Sequence, residues 1–325
     1  MMFPVTYSTL CENELKKYIF EKYEVKPVRV NFFLRGMNDT YIVHTEDSKY
    51  VFRVYRNDWR TNKEEITFEL DLVLHLESEG IPVSYPITRK DGEFINRLNA
   101  PEGNRFGVLF SFAQGEEKPI DNEQISSLFG KSVAELHIKS ENFTSTKKRF
   151  ELNLTYLIDK PLKIIKDFML HRIEDYTFIE EVASKLKARI QELETSGLDW
   201  GICHGDLHGN TNISFKEDFS YTHYDFDLCG YGWRSYDIAE FRLARQIHTR
   251  GDNKKLESLW NAFIQGYTSI RPLNQHDLEA IPVFVGIRKL WLMGLCLHDL
   301  HIVGSIDTGD DYINNNLKFF RELSI

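Results

Sequence analysis

The chain has 325 residues, 42% of them hydrophobic and 13% aromatic, enough to build substantial cores and to exclude disordered and fibrous classes. Forty Lys and Arg against forty-nine Asp and Glu give a net charge of −9, which argues against backbone-driven binding of nucleic acid. The four cysteines form no CxxC pair, so neither a disulfide framework nor a thiolate zinc site is expected. The first twenty residues lack the basic-then-apolar pattern of a signal peptide. The longest uncharged apolar runs, Ala280–Ile287 and Leu290–Leu297, fall short of the roughly 18 residues that a membrane span needs. A soluble, cytoplasmic protein with no membrane or nucleic-acid partner is expected.

Val28–Leu34 and Thr40–His44 read as strands separated by a turn cluster, Arg35–Asp39. Lys49–Tyr55 follows, its alternation placing Val51, Arg53 and Tyr55 on one face and Phe52 and Val54 on the other. A helix capped by Thr61 or Asn62 carries Ile66, Leu70, Val73 and Leu76 at helical spacing and stops at Gly80. Ile81-Pro82-Val83 is extended, Arg89–Arg105 reads as polar turns, and Gly107–Phe112 as a buried strand. Asp121 with Gln124 forms a capping box for a helix with the stripe Ile125, Phe129, Val133 and Leu136. The middle (147–196) is polar and helical, residues 201–226 are short strands and loops, and helices run from Ser235 onward.

His204-Gly205-Asp206-Leu207-His208-Gly209-Asn210-Thr211-Asn212, followed by Tyr224-Asp225-Phe226-Asp227, concentrates His, Asp, Asn and Gly between short apolar runs. Asp206 at a strand end, Asn212 just beyond it and Asp225 on the next strand supply hard oxygen donors of the kind Mg²⁺ takes along with substrate phosphates. This segment resembles the His-Gly-Asp loop and Asp-Phe-(Asp/Glu) motif of the aminoglycoside phosphotransferase and choline kinase family. YVFRV, Ile81-Pro82-Val83, LFSFAQGE and the Leu136-His137 helix are similar to that family's first lobe and interlobe region.

The resemblance implies an α+β, two-lobed protein-kinase-like fold. Its N-terminal antiparallel-sheet lobe, residues 1–112, would bind nucleotide. Its larger, mainly helical lobe, residues 113–325, would carry catalysis and the substrate. It implies an ATP-dependent kinase acting on a small hydroxylated molecule, an aminoglycoside, choline, homoserine or a sugar. Asp206 is then the catalytic base, and Asn212 and Asp225 hold Mg²⁺. Arg53, braced by Glu69, meets the ATP phosphates. Gly36 gives the first hairpin a close approach to them, and the main chain at Phe110–Phe112 reads adenine. His204, Asp227 and Asp237 support the loop, and His208 and Trp233 face the substrate.

Two positions depart from the family pattern. Thr211 stands where the family has Asn, leaving Asn210 and Asn212 as alternatives, with Asn212 favoured because it runs into a strand. Arg53 replaces the usual Lys, keeping the charge and adding bidentate geometry. Asp227 lies either near the metal or on the loop backbone, and Trp233 belongs either to the substrate pocket or to the core. Competing readings are a Ser/Thr protein kinase of the same fold, a metal-dependent hydrolase built on His204, Asp206, His208 and Asp225, and a nucleotide-binding module without turnover.

Overall fold

The computed structural model describes residues 3–323. In chain order it runs α1 (Glu12–Lys22), β1 (Arg29–Arg35), β2 (Asn38–His44), β3 (Lys49–Tyr55), α2 (Lys63–Ser78), β4 (Asn96–Ala100), β5 (Gly103–Ser111) and α3 (Glu123–Lys139). A π turn (Thr155–Asp159) opens α4 (Lys160–Phe168), and α5 (Ile173–Thr195) precedes the short strands β6 (Trp200–Cys203), β7 (Ile213–Phe215), β8 (Tyr221–His223) and β9 (Gly230–Trp233). Helices α6 (Arg234–His248), α7 (Asn253–Thr268), α8 (Gln275–His298), α9 (Leu300–Val303) and α10 (Asp310–Glu322) follow. The chain divides into two compact units. One comprises the chain up to Glu117 with Phe143–Arg149 and Ile213–Asp227. The other comprises Lys118–Asn142, Phe150–Asn212 and Leu228 onward.

The first unit is an antiparallel sheet in the order β1-β2-β3-β5-β4. The alternation of β3 divides its side chains between two cores. Phe52 and Val54 join Leu15 and Ile19 of α1, while Tyr55 joins Ile66 and Leu70 of α2. Arg53 shares the α2 face by the same period of two. Asn62 caps α2 by accepting from the Glu64 N–H at 2.8 Å.

The turn after β1 is tighter than expected: Arg35 pairs with Asp39, so Asn38 and Asp39 belong to β2. The polar stretch expected as turns contains β4 and the start of β5. Its inward-facing positions include two buried, hydrogen-bonded polar side chains, Asn96 and Arg105, while Arg97, Asn99 and Asn104 face solvent, so hydropathy gave no strand signal. Asn96 donates to the Gly107 carbonyl at 2.9 Å, and Arg105 pairs with Asp39 at 3.0 Å. β5 ends at Ser111, which places Phe112 beyond the strand. β7 and β8 form a separate hairpin, with Val83 bridging to His223.

The second unit is helical around a small β6–β9 pair. Asn122, not Asp121, caps α3, accepting from the Ile125 N–H at 3.0 Å. Strand β9 was not expected; its Gly-aromatic alternation is too short to carry a period. α8 packs on α4, α5 and α6. By length and composition it could cross a membrane, because Arg288 and Lys289 merely interrupt two apolar runs of one helix. With 72% of its most apolar window buried, it is the core helix of this unit. His137 of α3 is fully buried between Tyr267, at 2.9 Å, and Asp237, at 3.0 Å. Burial lowers its pKa, against the pull of the Asp237 carboxylate.

Asp39 neutralises buried Arg105 and also accepts from Arg35 at 2.9 Å. Asp39→Ala removes one of the two carboxylates beside the Arg105 guanidinium, leaving Glu102 at 3.6 Å, and should cost about 1–3 kcal/mol in urea unfolding. Neutral His137 is the form the fold accepts, so the folded state binds fewer protons than the unfolded chain below pH about 6.5. Stability should therefore fall as pH drops below that value. The urea midpoint of His137→Gln should decline less between pH 7.5 and 5.5 than that of the parent.

Candidate active site

In the helical unit, β6 delivers the chain to His204-Gly205-Asp206. Gly205 has φ +80°, and a Cβ there would run into the Leu228 carbonyl, so the turn requires glycine. Two carboxylates three residues apart on α6 hold this loop by its backbone. Asp237 accepts from the His204 N–H at 2.7 Å and the Gly205 N–H at 2.8 Å, and Glu240 accepts from the Leu207 N–H. Both carboxylates are buried. His204 is fully buried beneath the loop.

Asp206 keeps 21% of its side chain exposed. Its Oδ1 accepts from Arg288, and its Oδ2 lies 3.6 Å from His208 Nε2. Burial pushes its pKa up, but His208, Arg288 and His204 more than offset this and bring it to about 2. His208 Nδ1 accepts from the Asn210 N–H at 3.1 Å, which leaves Nε2 to carry the proton toward Asp206.

The two asparagines part company. Asn212 is buried, donates to the Asp206 carbonyl and accepts from the Gly209 N–H at 3.2 Å. Asn210 is taken up by Arg245 of α6. Trp233 is 3% exposed, packed on Trp200 and Phe284 with ring centroids 4.8 and 5.6 Å away. It packs in the core of the unit, one of the two places that the sequence left open for it.

In the sheet unit, Arg53 donates to Glu69 at 2.6 Å and to Asp225 at 2.9 Å, and its guanidinium lies 5.0 Å from the Phe110 ring. Burial works against its charge, but Asp225 and Glu69 outweigh it, raising its pKa. Asp225 does not lie on a strand: β8 ends at His223, and Asp225 has φ +68°. Its side chain is 44% exposed. Asp227, two residues on, accepts from Asn38 at 3.0 Å, Trp59 at 2.8 Å and Arg60 at 2.9 Å. It is a saturated, buried anchor, gripped by side chains rather than by loop backbone.

Gly36 has an ordinary φ, and a Cβ there would meet only Leu34, at 3.7 Å. Phe110 is buried in β5, and Phe112 lies partly exposed under Lys49 at 5.4 Å. Ser111 has both main-chain groups engaged, its N–H by Tyr85 and its carbonyl by Ser84. Among the described residues, no group of three or more His, Cys, Asp or Glu is arranged to hold a metal, which is the geometry the hydrolase reading needs.

Sequence reasoning missed Arg288, Glu240, Trp59 and Arg60. Two signals were present: Arg288 interrupts an apolar helix, and Glu240 repeats Asp237 at i+3.

The sequence matches the phosphotransferase enzyme family over residues 34–273. A Synechocystis protein of uncharacterized function is 31% identical, covering 99% of this chain and 88% of its own. A homoserine kinase of Agrobacterium fabrum is 26% identical over 85% of this chain and 82% of its own. Among solved structures, an amicoumacin kinase superposes with a TM-score of 0.77 at 21% identity, covering 95% of this chain and 92% of that one. A microcompartment-associated aminopropanol kinase gives 0.74 at 21% identity, with 95% and 94% covered. A five-stranded antiparallel sheet unit, a helical unit and these matches together show the protein-kinase-like fold, and the chain is an enzyme belonging to the phosphotransferase enzyme family.

Proposed function

We propose that this enzyme transfers the γ-phosphoryl group of ATP to the hydroxyl of a small amino alcohol. The observation that carries this reading is Asp206, a partly exposed carboxylate held anionic on a loop whose backbone is clamped by Asp237 and Glu240. As the acceptor oxygen bonds to the γ-phosphorus, the bond to the β–γ bridging oxygen breaks and ADP leaves. The hydroxyl proton passes to Asp206. A carboxyl with a pKa of about 2 is a weak base, so its main contribution is to orient the hydroxyl, as a loose transition state requires.

Asn212 in the helical unit has an amide oxygen and Asp225 in the sheet unit a carboxylate, each a hard donor of the kind that Mg²⁺ takes alongside substrate phosphates. The second lone pair of the Asn212 amide oxygen remains after it accepts from Gly209. Bound there, the cation would neutralise charge on the phosphates. Arg53, fixed by Glu69, supplies a permanent positive charge for the same groups. Gly36 leaves the first position of the β1–β2 turn without a side chain. With Ser111 engaged, adenine is read by main chain from Phe112 onward, beside Phe110. His208, next to Asp206, lines the acceptor side.

The amino-alcohol class is supported by the relatives' names: homoserine and aminopropanol each carry a hydroxyl and an amine. A chain with a net charge of −9 also favours a cationic acceptor over an anionic one.

Asp206→Asn should lower turnover by about 10²–10⁴-fold while calorimetric binding of MgATP persists; wild-type turnover would sink the assignment. Asp225→Ala should instead abolish the magnesium-dependent part of ATP binding. In a coupled ADP-release assay, homoserine, 1-amino-2-propanol, ethanolamine and choline should outperform the amine-free 1,2-propanediol and glycerol. Equal rates across the panel would remove the amine from the substrate definition.

A further inference from the structure

Arg288 stands beside Lys289 between the two apolar runs of α8, with only 4% of its side chain exposed. A buried guanidinium in such a helix is costly unless it is paired and fully bonded. Its Nη1 reaches Glu240 at 3.0 Å, the Tyr236 hydroxyl at 3.0 Å and the Gly205 carbonyl at 3.2 Å. Its Nη2 donates to Oδ1 of Asp206. Its plane is fixed by Trp291, whose ring centroid lies 4.7 Å away, and by Tyr236 at 5.8 Å. Three hydrogen-bond acceptors, an ion pair with Glu240 and two flanking rings restrict the orientation of the guanidinium.

The two oxygens of Asp206 are therefore not equivalent. Oδ1 is engaged by a group that cannot move, and Oδ2 faces His208. We propose that Arg288 is the positioning residue of Asp206: by holding Oδ1 it fixes the carboxylate plane and leaves Oδ2 as the oxygen presented to the acceptor hydroxyl. This rests on the assignment of Asp206 above. The loop backbone has anchors of its own in Asp237 and Glu240; Arg288 adds one backbone contact, at the Gly205 carbonyl, and is the one of the three that holds the Asp206 side chain. Glu240 serves both, compensating the guanidinium while receiving the Leu207 N–H. A lysine at 288 could reach one partner with a point charge but could not span both Glu240 and Asp206 with a rigid fork.

The test uses the full-length enzyme with water as acceptor, measuring MgATP hydrolysis, and crystal structures of each variant. Arg288→Met alone strands Glu240 in the core, so the informative variant is the double R288M/E240Q, which removes the pair together and keeps an acceptor for Leu207. The double variant should lose about 10–100-fold in kcat, as misplacement of a reacting group does, with KM for ATP unchanged within about twofold. R288K should recover part of the loss. In the crystal structure of the double variant, the Asp206 carboxylate should leave its parent rotamer while the loop backbone from His204 to Leu207 stays in place.

A parent-like Asp206 rotamer in that crystal structure overturns the proposal whatever the rates are. So does parent-like hydrolysis, or a loss of kcat accompanied by a displaced loop. Unimpaired hydrolysis by D206N would instead strike the assignment of Asp206, and the rotamer would still report whether Arg288 holds it. The two failures are therefore told apart.

Discussion

The helical unit depends on two buried carboxylates that take up backbone N–H groups. Asp237 and Glu240 lie three residues apart on α6, so they project from one face and meet successive N–H groups of the His204–Leu207 turn. Irregular backbone cannot satisfy itself, and burying it without partners is expensive. Carboxylates inside the unit remove that cost and leave the turn one conformation. The turn in turn demands glycine at 205. Asp206 then projects from backbone that has no freedom, which is the condition for presenting a carboxylate at a defined point.

The sheet unit solves a related problem with the opposite charge balance. Asp227 is ringed by Asn38, Trp59 and Arg60, while Asp225, two residues earlier, keeps nearly half its side chain exposed. One carboxylate is spent on structure so that the other can be held at the surface. Asp225 lies past the end of β8 with φ +68°, and Asp227 lies in the helical turn Phe226–Leu228, so the two side chains follow no strand alternation. Arg60 and Arg149 both donate to the Asp227 carbonyl as well, fixing the segment from its far end.

Much of this was legible in the sequence, for identifiable reasons. β3 and α2 carry clean periods of 2 and 3.6, and Arg53 and Glu69 fall on facing positions of those patterns. The His-Gly-Asp segment was conspicuous because polar residues crowded between apolar runs. What escaped was polar chemistry hidden inside regular structure. Asn96 and Arg105 disguised β4 and the start of β5 as loop, because a buried and satisfied polar side chain reads in sequence like an exposed one. Arg288 and Glu240 escaped for the same reason: each lies in a helix, and only the tertiary arrangement makes them partners of the loop. Trp233 was open to two readings from the sequence. An aromatic beside a catalytic-looking motif invited a ligand, but Trp200 and Phe284 enclose it.

Arg53 is where the departure from the family's usual lysine can be understood physically. A lysine ammonium is one compact charge, suited to one strong partner at a time. The guanidinium fork reaches Glu69 with Nη1 and Asp225 with Nη2 while its flat face lies over Phe110. Two carboxylates and a ring thereby define its plane as well as its position. The substitution thus adds orientation without surrendering charge, because a guanidinium flanked by two carboxylates stays protonated even when buried. The cost is that Asp225 is tied to Arg53 before any other cation arrives.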